Sequence, residues 1–562
     1  MFNQKKQNLG KTPTASAATA KNVLPNAFVN AGLKKSAETL SGNGALKFST
    51  SGNAFVDQFS FLGSYKKPRT FAEVEKDCEA LWAIDKRKAV MFAFYIRLIT
   101  RQVSLFDGTK TQVPQRGAEL KNEGIMRMMW LHQKDQNAFW NNIGLFVSAG
   151  SWQDVIKMLQ TDLVYHGWEG KVLNWDKFGK LILSALNNTN TSELLKKFLP
   201  QIKANSACKT VEAQADTMIA KWICSLLFGN KGEADNGKTY KKYRQMKSSG
   251  TAHEWQKLIS QGKHELIDFN TVHGRALNLM VRSKYLDNQK QKARYEAWIT
   301  KPETKEVKFT GFVHELFQKL PGQLSGLSVA ERETINKQFQ TLVTKGGESE
   351  MTELIVVRDT SGSMSSTANG TNMSCYNIAK ALALYFSEFL SGKFAGSWIE
   401  FNSSAKMHNW IGNSPLEKWY NDRSNFIGST DFQSVIKLFC TIKAQGVEEK
   451  DFPKGILCIS DSEFNPTQVG KTNVDKALET LRAGGFSEEY VRNFLIILWN
   501  LQSNAYGSNT GKKFETFGDV KNVFYFSGYS AATVGFLTTE IETASELFNA
   551  AMNQEILNMI EI

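Results

Sequence analysis

Apolar residues recur at spacings of three and four through most of residues 70–345, the mark of helices that each bury one face. The pattern is clearest over Ala72–Leu81, Val90–Ile99, Asn137–Phe146, Trp152–Leu159, Phe178–Leu186, Glu193–Ile202 and Ala213–Leu227. Gly, Asn, Asp and Pro interrupt it at intervals suited to antiparallel helix pairs. Ser151 or Asp154 is placed to cap a helix after Gly150, and Thr210 before VEAQ reads as a capping box with Ala213 where the acid would stand. No exact repeat period shows, so the expectation is a solenoid of degenerate helix pairs. Trp82, Trp130, Trp140 and Trp222 fall on apolar faces and are expected in its core. Upstream, Gly42, Gly44 and Gly52 punctuate short alternating segments between Leu40 and Lys66, which predicts a turn or hairpin leading into a helix.

The polar stretch Gln323–Glu350, with Gly346-Gly347 near its end, marks a boundary. Beyond it short apolar runs alternate with helical patterns. Strands are predicted at Leu354–Val357, Ser397–Phe401, Gly455–Ile459, Phe494–Trp499 and Val523–Phe526. Helices are predicted at Ser374–Leu390, Asp431–Lys443, Val474–Ala483 and around Thr543–Met559. That alternation calls for a doubly wound, Rossmann-like parallel sheet with helices on both faces. The expected organisation is an arm over residues 1–40, an α-helical domain over 41–345 and an α/β domain over 350–562, an α plus α/β chain.

Charge changes the picture. The net charge is +13, and it is unevenly spread. Residues 351–562 hold 17 Lys and Arg against 23 Asp and Glu, a net of −6, whereas residues 1–350 hold 51 against 32, a net of +19. A basic region joined to a mildly acidic one is the asymmetry of a chain that meets nucleic acid. The alternative reading is a solvated basic surface. The arm contributes Lys5, Lys6, Lys11, Lys34 and Lys35. No run is apolar enough to cross a membrane, and MFNQKKQNLGK lacks the apolar centre of a secretory leader. Six scattered cysteines without a CxxC pair read as reduced core thiols, which together predicts a cytoplasmic protein.

The chemistry is concentrated in ELIVVRDTSGSM, residues 353–364. An apolar strand runs into Asp359, Ser361 and Ser363, which places one carboxylate and two hydroxyls on a tight turn at the strand's carboxyl end. That is where open α/β sheets bind ligands, and hard oxygen donors suit Mg²⁺. The Gly-containing loop IGSTD brings Thr430 ahead of a helix, and LCISD ends another apolar strand at Asp461. A purely structural acidic turn is the other possibility. No HExxH, P-loop or Ser-His-Asp order appears, so no enzymatic activity is expected.

DTSGSM, GSTD and ISD together resemble the metal-ion-dependent adhesion site (MIDAS) of von Willebrand factor A domains. The resemblance implies that Asp359, Ser361, Ser363, Thr430 and Asp461 hold Mg²⁺ or Mn²⁺, Asp461 often through water. NGALKFSTSGNAFVDQF near the start, AKWICSLL, YKKYRQM and HEWQKLISQGKHELIDFNTVHGRAL, followed by an A domain, resemble the TROVE/Ro-type RNA-binding proteins and, more closely, their DUF2828-type relatives. The likeness runs from about Leu40 to the end. It implies HEAT-like helical repeats in a monomeric ring closed by the A domain, and a ribonucleoprotein role with small non-coding or misfolded RNA.

RNA binding needs cations for phosphates and groups that stack on unpaired bases. Lys241, Lys242, Arg244 and Lys247 alternate with Tyr240 and Tyr243 after a Gly- and Asp-containing loop, and His273 and Arg275 lie near another loop. A solvated helix face with both tyrosines turned inward remains open. So does a second function: a protein-interaction module whose metal clamps a partner's carboxylate, the helices serving as scaffold.

Overall fold

The computed structural model describes residues 38–562 apart from 41–45, 49, 65–67, 105–111, 230–235, 250–253, 273, 283–288, 305–306, 310, 347–352, 390–393, 425–426, 470, 503–519 and 538–540. The arm expected over residues 1–40 lies, as far as residue 37, outside the described residues, as does His273.

Two short strands, β1 (Glu38–Leu40) and β2 (Leu46–Phe48), form a small sheet ahead of the helix Ala54–Phe61. That helix is capped by Asn53, whose side chain accepts from the amides of Phe55 and Val56. Helix pairs follow. Phe71–Ile84 and Lys86–Arg97 are separated by Asp85 alone, which ends the first helix and caps the second by accepting from the Lys88 amide at 2.9 Å. Asp135 repeats the device between Lys121–Lys134 and Gln136–Ala149, accepting from the Ala138 amide at 3.0 Å. One residue in extended conformation reverses the chain, so the two helices of each pair pack against each other. The antiparallel strands β3 (Arg101–Ser104) and β4 (Gln112–Gln115) lie between these pairs in the chain.

Ser151 and Asp154, which the sequence offers as alternative caps, together form a capping box at Trp152–His166, and Thr210 caps Val211–Phe228 as expected. Trp130 is buried with its indole N–H donated to Glu79 at 2.9 Å. Trp82, Trp140 and Trp222 pack partly buried against the same core.

The C-terminal region builds a six-stranded sheet from β5 (Leu354–Asp359), β6 (Ser397–Phe401), β7 (Ala405–Asn409), β8 (Gly455–Ser460), β9 (Leu495–Asn500) and β10 (Val523–Ser527). The order is β10-β9-β8-β5-β6-β7. All neighbours are parallel except β6 and β7. The expected sheet is therefore corrected to a mixed one, closed on one edge by an antiparallel strand. Alternate residues of the central strands enter two different cores. Val356, Leu457 and Ile497 join the core shared with the helix Cys375–Ser387 and the helical region. Ile355, Val357, Ile456 and Cys458 join the one under Gln433–Ala444 and Asn473–Ala483. Burial on both faces explains the unbroken apolar runs.

Two further departures concern helices. The polar stretch expected to separate the regions contains the helix Val329–Gly346. The last predicted helix divides into Ala544–Met552 and Glu555–Asn558, with Asn553 and Gln554 between them.

Residues 39–562 pack as one unit, and the C-terminal region is held to the helices at two places. At one, Phe548 packs on Phe55, Phe59 and Phe92, with ring centroids 5.4–5.7 Å apart. Arg87 donates to the carbonyls of Asn558 and Ile560 there. At the other, Phe317 stacks on Trp419 at 4.4 Å, and Tyr420 donates to the Pro321 carbonyl at 2.7 Å. The first helices and the last ones before residue 350 thus both contact the C-terminal region.

Candidate functional site

Strand β5 delivers Asp359 to the carboxyl edge of the sheet. The chain then turns through Thr360 and Ser361 into a 3₁₀ turn, Gly362–Ser365. The Ser361 amide donates to Asp359 Oδ1 at 2.7 Å, and the Ser460 hydroxyl at the end of β8 donates to Oδ2 at 2.5 Å. The hydroxyls of Ser361 and Ser363 lie 3.1 Å apart.

The second loop is tied to the first by backbone bonds: Ile427 N–H to the Thr360 carbonyl at 2.9 Å and Gly362 N–H to the Gly428 carbonyl at 3.2 Å. Gly428 is required here. Its φ is +87°, and a Cβ would stand 2.5 Å from Ser403 Oγ. The third loop is tied to the second, with Asn465 N–H donating to the Thr430 carbonyl at 2.9 Å. Directly after Asp461, Ser462 holds a left-handed φ of 62°, a conformation that costs a non-glycine residue of order 1 kcal/mol or more and tends to collect at functional sites. Three separate loops thus converge at one edge and carry Asp359, Ser361, Ser363, Thr430 and Asp461.

Asp359 and Asp461 are both buried, at 0% and 1% exposure, as are Ser361 and Thr430. Burial, and then the Asp461 charge, push the Asp359 carboxyl up to about 7. Two carboxylates withdrawn from water repel one another, and a dication would relieve both the repulsion and the desolvation. The donor set fits a hard cation. Its oxygens are carboxylates and hydroxyls, and the nearby Cys375 thiol is pushed up to about 12 by burial, so it stays protonated. Among the described residues no group of three or more His, Cys, Asp or Glu side chains could hold a metal. Any ion here would depend on the serine and threonine hydroxyls.

Beside this site runs a buried ionic cluster. Arg358, one residue before Asp359, is fully buried and pairs with Asp422 at 2.7 Å. Its guanidinium lies 4.1 Å from the Trp398 ring centroid. Lys380 reaches the same carboxylate at 3.4 Å. Burial alone would raise Asp422, but Arg358 and then Lys380 outweigh it and hold the carboxyl down at about 2.

The basic candidates divide. Lys241, Lys242 and Arg244 are exposed on the helix Asn236–Ser249. Lys247 is half-buried and donates to the Lys197 carbonyl at 3.2 Å. Tyr240 is half-buried against the core. Tyr243 is corrected: it is fully buried and donates to the Pro200 carbonyl at 2.9 Å, so it offers no face to a base. The helical period sets Thr239 and Tyr243 four residues apart on the inward side. Arg275 is exposed but engaged by both carboxylate oxygens of Glu315.

Arg275 lines a feature the sequence did not disclose, an open cavity of about 1090 Å³ lined by helical segments and by the C-terminal residues Asn369–Thr371 and Gly528–Tyr529. Most of the cations lining it are matched. Arg69 pairs with Asp77 at 2.5 Å and Glu123 at 2.8 Å, and Lys121 lies 3.6 Å from Asp154. Tyr165, 58% exposed, presents a ring on its wall.

Residues 353–558 match the family described as a domain of unknown function, DUF7788. Over 545 residues the chain is 21% identical to an uncharacterized protein of Acanthamoeba polyphaga mimivirus, covering 92% of this chain and 85% of that protein. The crystal structure of the Ro (RSR) protein of Deinococcus radiodurans is similar with a TM-score of 0.42 and 12% identity, over 90% of this chain and 99% of that one. No described helix is long and apolar enough to cross a membrane.

Proposed function

We propose that this chain binds RNA as a component of a ribonucleoprotein, with no catalytic step of its own. The observation that carries the reading is the segregation of charge, +19 over residues 1–350 against −6 over the remainder. Exposure of Lys241, Lys242 and Arg244 on one helix supports it, since freely solvated cations can exchange counterions for phosphates. The matched cations of the cavity suit it less to a run of phosphates than to unpaired bases entering beside Tyr165. On this reading small or misfolded RNA is held by a monomeric, HEAT-like helical ring, as the motif resemblance implies. The C-terminal region is the clasp of that ring, supported by its contacts with the first and last helices.

Asp359, Ser361, Ser363, Thr430 and Asp461 are proposed to hold Mg²⁺ or Mn²⁺ in the manner of an A domain. The ion would neutralise the two buried carboxylates and leave coordination positions for an outside oxygen. A second reading, capture of a partner protein's carboxylate at that ion, is favoured by Ile427, which is 65% exposed on the second loop.

Gel-shift titration at low salt parts the two readings. Without added divalent cation, RNA binding should survive Asp359→Asn and weaken when Lys241, Lys242 and Arg244 are all changed to Gln. A protein showing no RNA affinity at low salt overturns the first reading.

A further inference from the structure

The cavity and the proposed metal site are joined by one element. Directly after the turn that carries Ser363, residues 366–374 form a small hairpin. Its base is the Thr367–Ser374 bridge together with the Cys375 amide donating to the Ser366 carbonyl at 2.9 Å. Its tip, Asn369-Gly370-Thr371, is part of the cavity wall. Gly370 turns the chain there with a φ of +72°, and Ala368 and Met373, bonded at 2.9 Å, are buried in the core. The hairpin has one end beside the oxygens of the proposed metal site and the other at the cavity.

Two bonded routes connect those ends. The first runs along the chain: Met364 N–H donates to the Ser361 carbonyl at 3.2 Å, Ser366 N–H to the Ser363 carbonyl at 3.1 Å, and the hairpin follows. The second crosses the sheet. Ser460 donates to Asp359, Leu501 N–H donates to the Ser460 carbonyl at 2.9 Å, and the adjoining Gln502, 1% exposed, accepts from the Asn369 amide at 2.7 Å. Tyr529 closes the tip from the other side, donating to the Asn369 carbonyl at 3.1 Å while its ring packs edge-on to His314 at 5.2 Å. Asp359 and Asn369 are therefore linked both through the turn and through Ser460 and Gln502.

We propose that the 366–374 hairpin couples the metal site to the cavity, so that a divalent cation at Asp359 and a ligand at Asn369–Thr371 each change the other's affinity. The proposal rests on the metal reading above and deepens it. A cation that draws the Ser361 and Ser363 hydroxyls and Asp359 into its coordination sphere fixes the turn on which the hairpin is mounted. It also fixes Ser460 on the second route. Coupling between two binding equilibria is reciprocal. A short single-stranded RNA in the cavity would therefore tighten cation binding by the same factor that the cation tightens the RNA.

The test is hydrogen exchange by mass spectrometry on the full chain, with and without Mg²⁺, run beside calorimetric titration of Mg²⁺ alone. The expected result is Mg²⁺ binding accompanied by slower exchange of the amides of residues 367–375, by on the order of fivefold or more. In Gln502→Leu the binding heat and the slowing over residues 361–366 should remain, while the slowing at 368–371 shrinks. Binding heat with unchanged exchange at 367–375 would overturn the coupling and leave the metal reading standing. Absence of any binding heat in a protein with a normal thermal transition removes the metal reading, and the coupling with it.

Discussion

The Ser460 hydroxyl donates to Asp359 Oδ2 at 2.5 Å, joining the ends of the neighbouring parallel strands β8 and β5. The bond settles one lone pair of a carboxylate that has no exposure to water, while the Asp461 charge nearby still opposes its ionisation. On the metal reading proposed above, a cation would offset both the burial and the repulsion. Mg²⁺ is therefore expected to raise the thermal midpoint, by an amount equivalent to about 2.7 kcal/mol at a hundredfold excess over Kd. Asp359→Asn should abolish that rise without lowering the midpoint of the metal-free protein, because it removes one of two repelling charges. A melt indifferent to Mg²⁺ in the wild-type chain would contradict the assignment.

The Arg358–Asp422 pair makes part of the C-terminal region's stability depend on pH. The folded pKa of Asp422 lies below its usual value of 3.8, so its contribution to stability is fully present above that value. It is lost as pH falls from about 4 towards 2. Asp422→Ala leaves Arg358 and Lys380 buried without a counter-charge and should cost about 3–5 kcal/mol at neutral pH, as judged by urea unfolding. A neutral outcome would mean that water reaches the cluster.

Phe548 fastens the C-terminal helix Ala544–Met552 to the first helices of the chain. Three aromatic rings from two helices of the N-terminal region surround it, so Phe548→Ala is expected to cost about 3–5 kcal/mol. Limited proteolysis should then cut first beside the helix Ala544–Met552, ahead of any cleavage in β8 or β9. Unchanged protease resistance would mean that the polar contacts of Arg87 suffice.

The two tyrosines of the basic helix should behave differently. Tyr243→Phe removes only the buried bond to the Pro200 carbonyl, so RNA affinity should be unchanged and stability lower by about 1 kcal/mol. Tyr240→Ala should weaken RNA binding if its half-buried ring reaches a base. Equal RNA affinity in all three proteins would confine this helix's contribution to its cations.

Strands β5, β8, β9 and β10 were legible from the apolar runs Leu354–Val357, Gly455–Ile459, Phe494–Trp499 and Val523–Phe526, and Asp359 and Asp461 as the carboxylates that follow two of them. The edge strand β7 was not, since Ala405–Asn409 is largely exposed and carries no apolar alternation. The helix Val329–Gly346 was hidden for the opposite reason. Its inward face includes Thr334, Gln338 and Thr341, all at most 1% exposed, so a buried face reads as a polar linker. Thr334 is satisfied by Tyr295 at 2.7 Å and Thr341 by the Val307 amide at 3.1 Å, partners no local pattern could announce. Arg358 and Asp422 lie 64 positions apart, and the cavity draws its wall from segments between residues 62 and 529. Both exist only after tertiary packing.

The measurement that bears most directly on the central claim is RNA affinity as a function of salt, for the wild type and for the triple Gln variant of Lys241, Lys242 and Arg244. Each phosphate contact on a single strand contributes about 0.7 to the slope of log K against log salt. The expected result is a steep wild-type slope that falls by about 2 in the variant. A wild-type protein with no measurable RNA affinity at low salt, or a slope untouched by the three substitutions, would contradict the account.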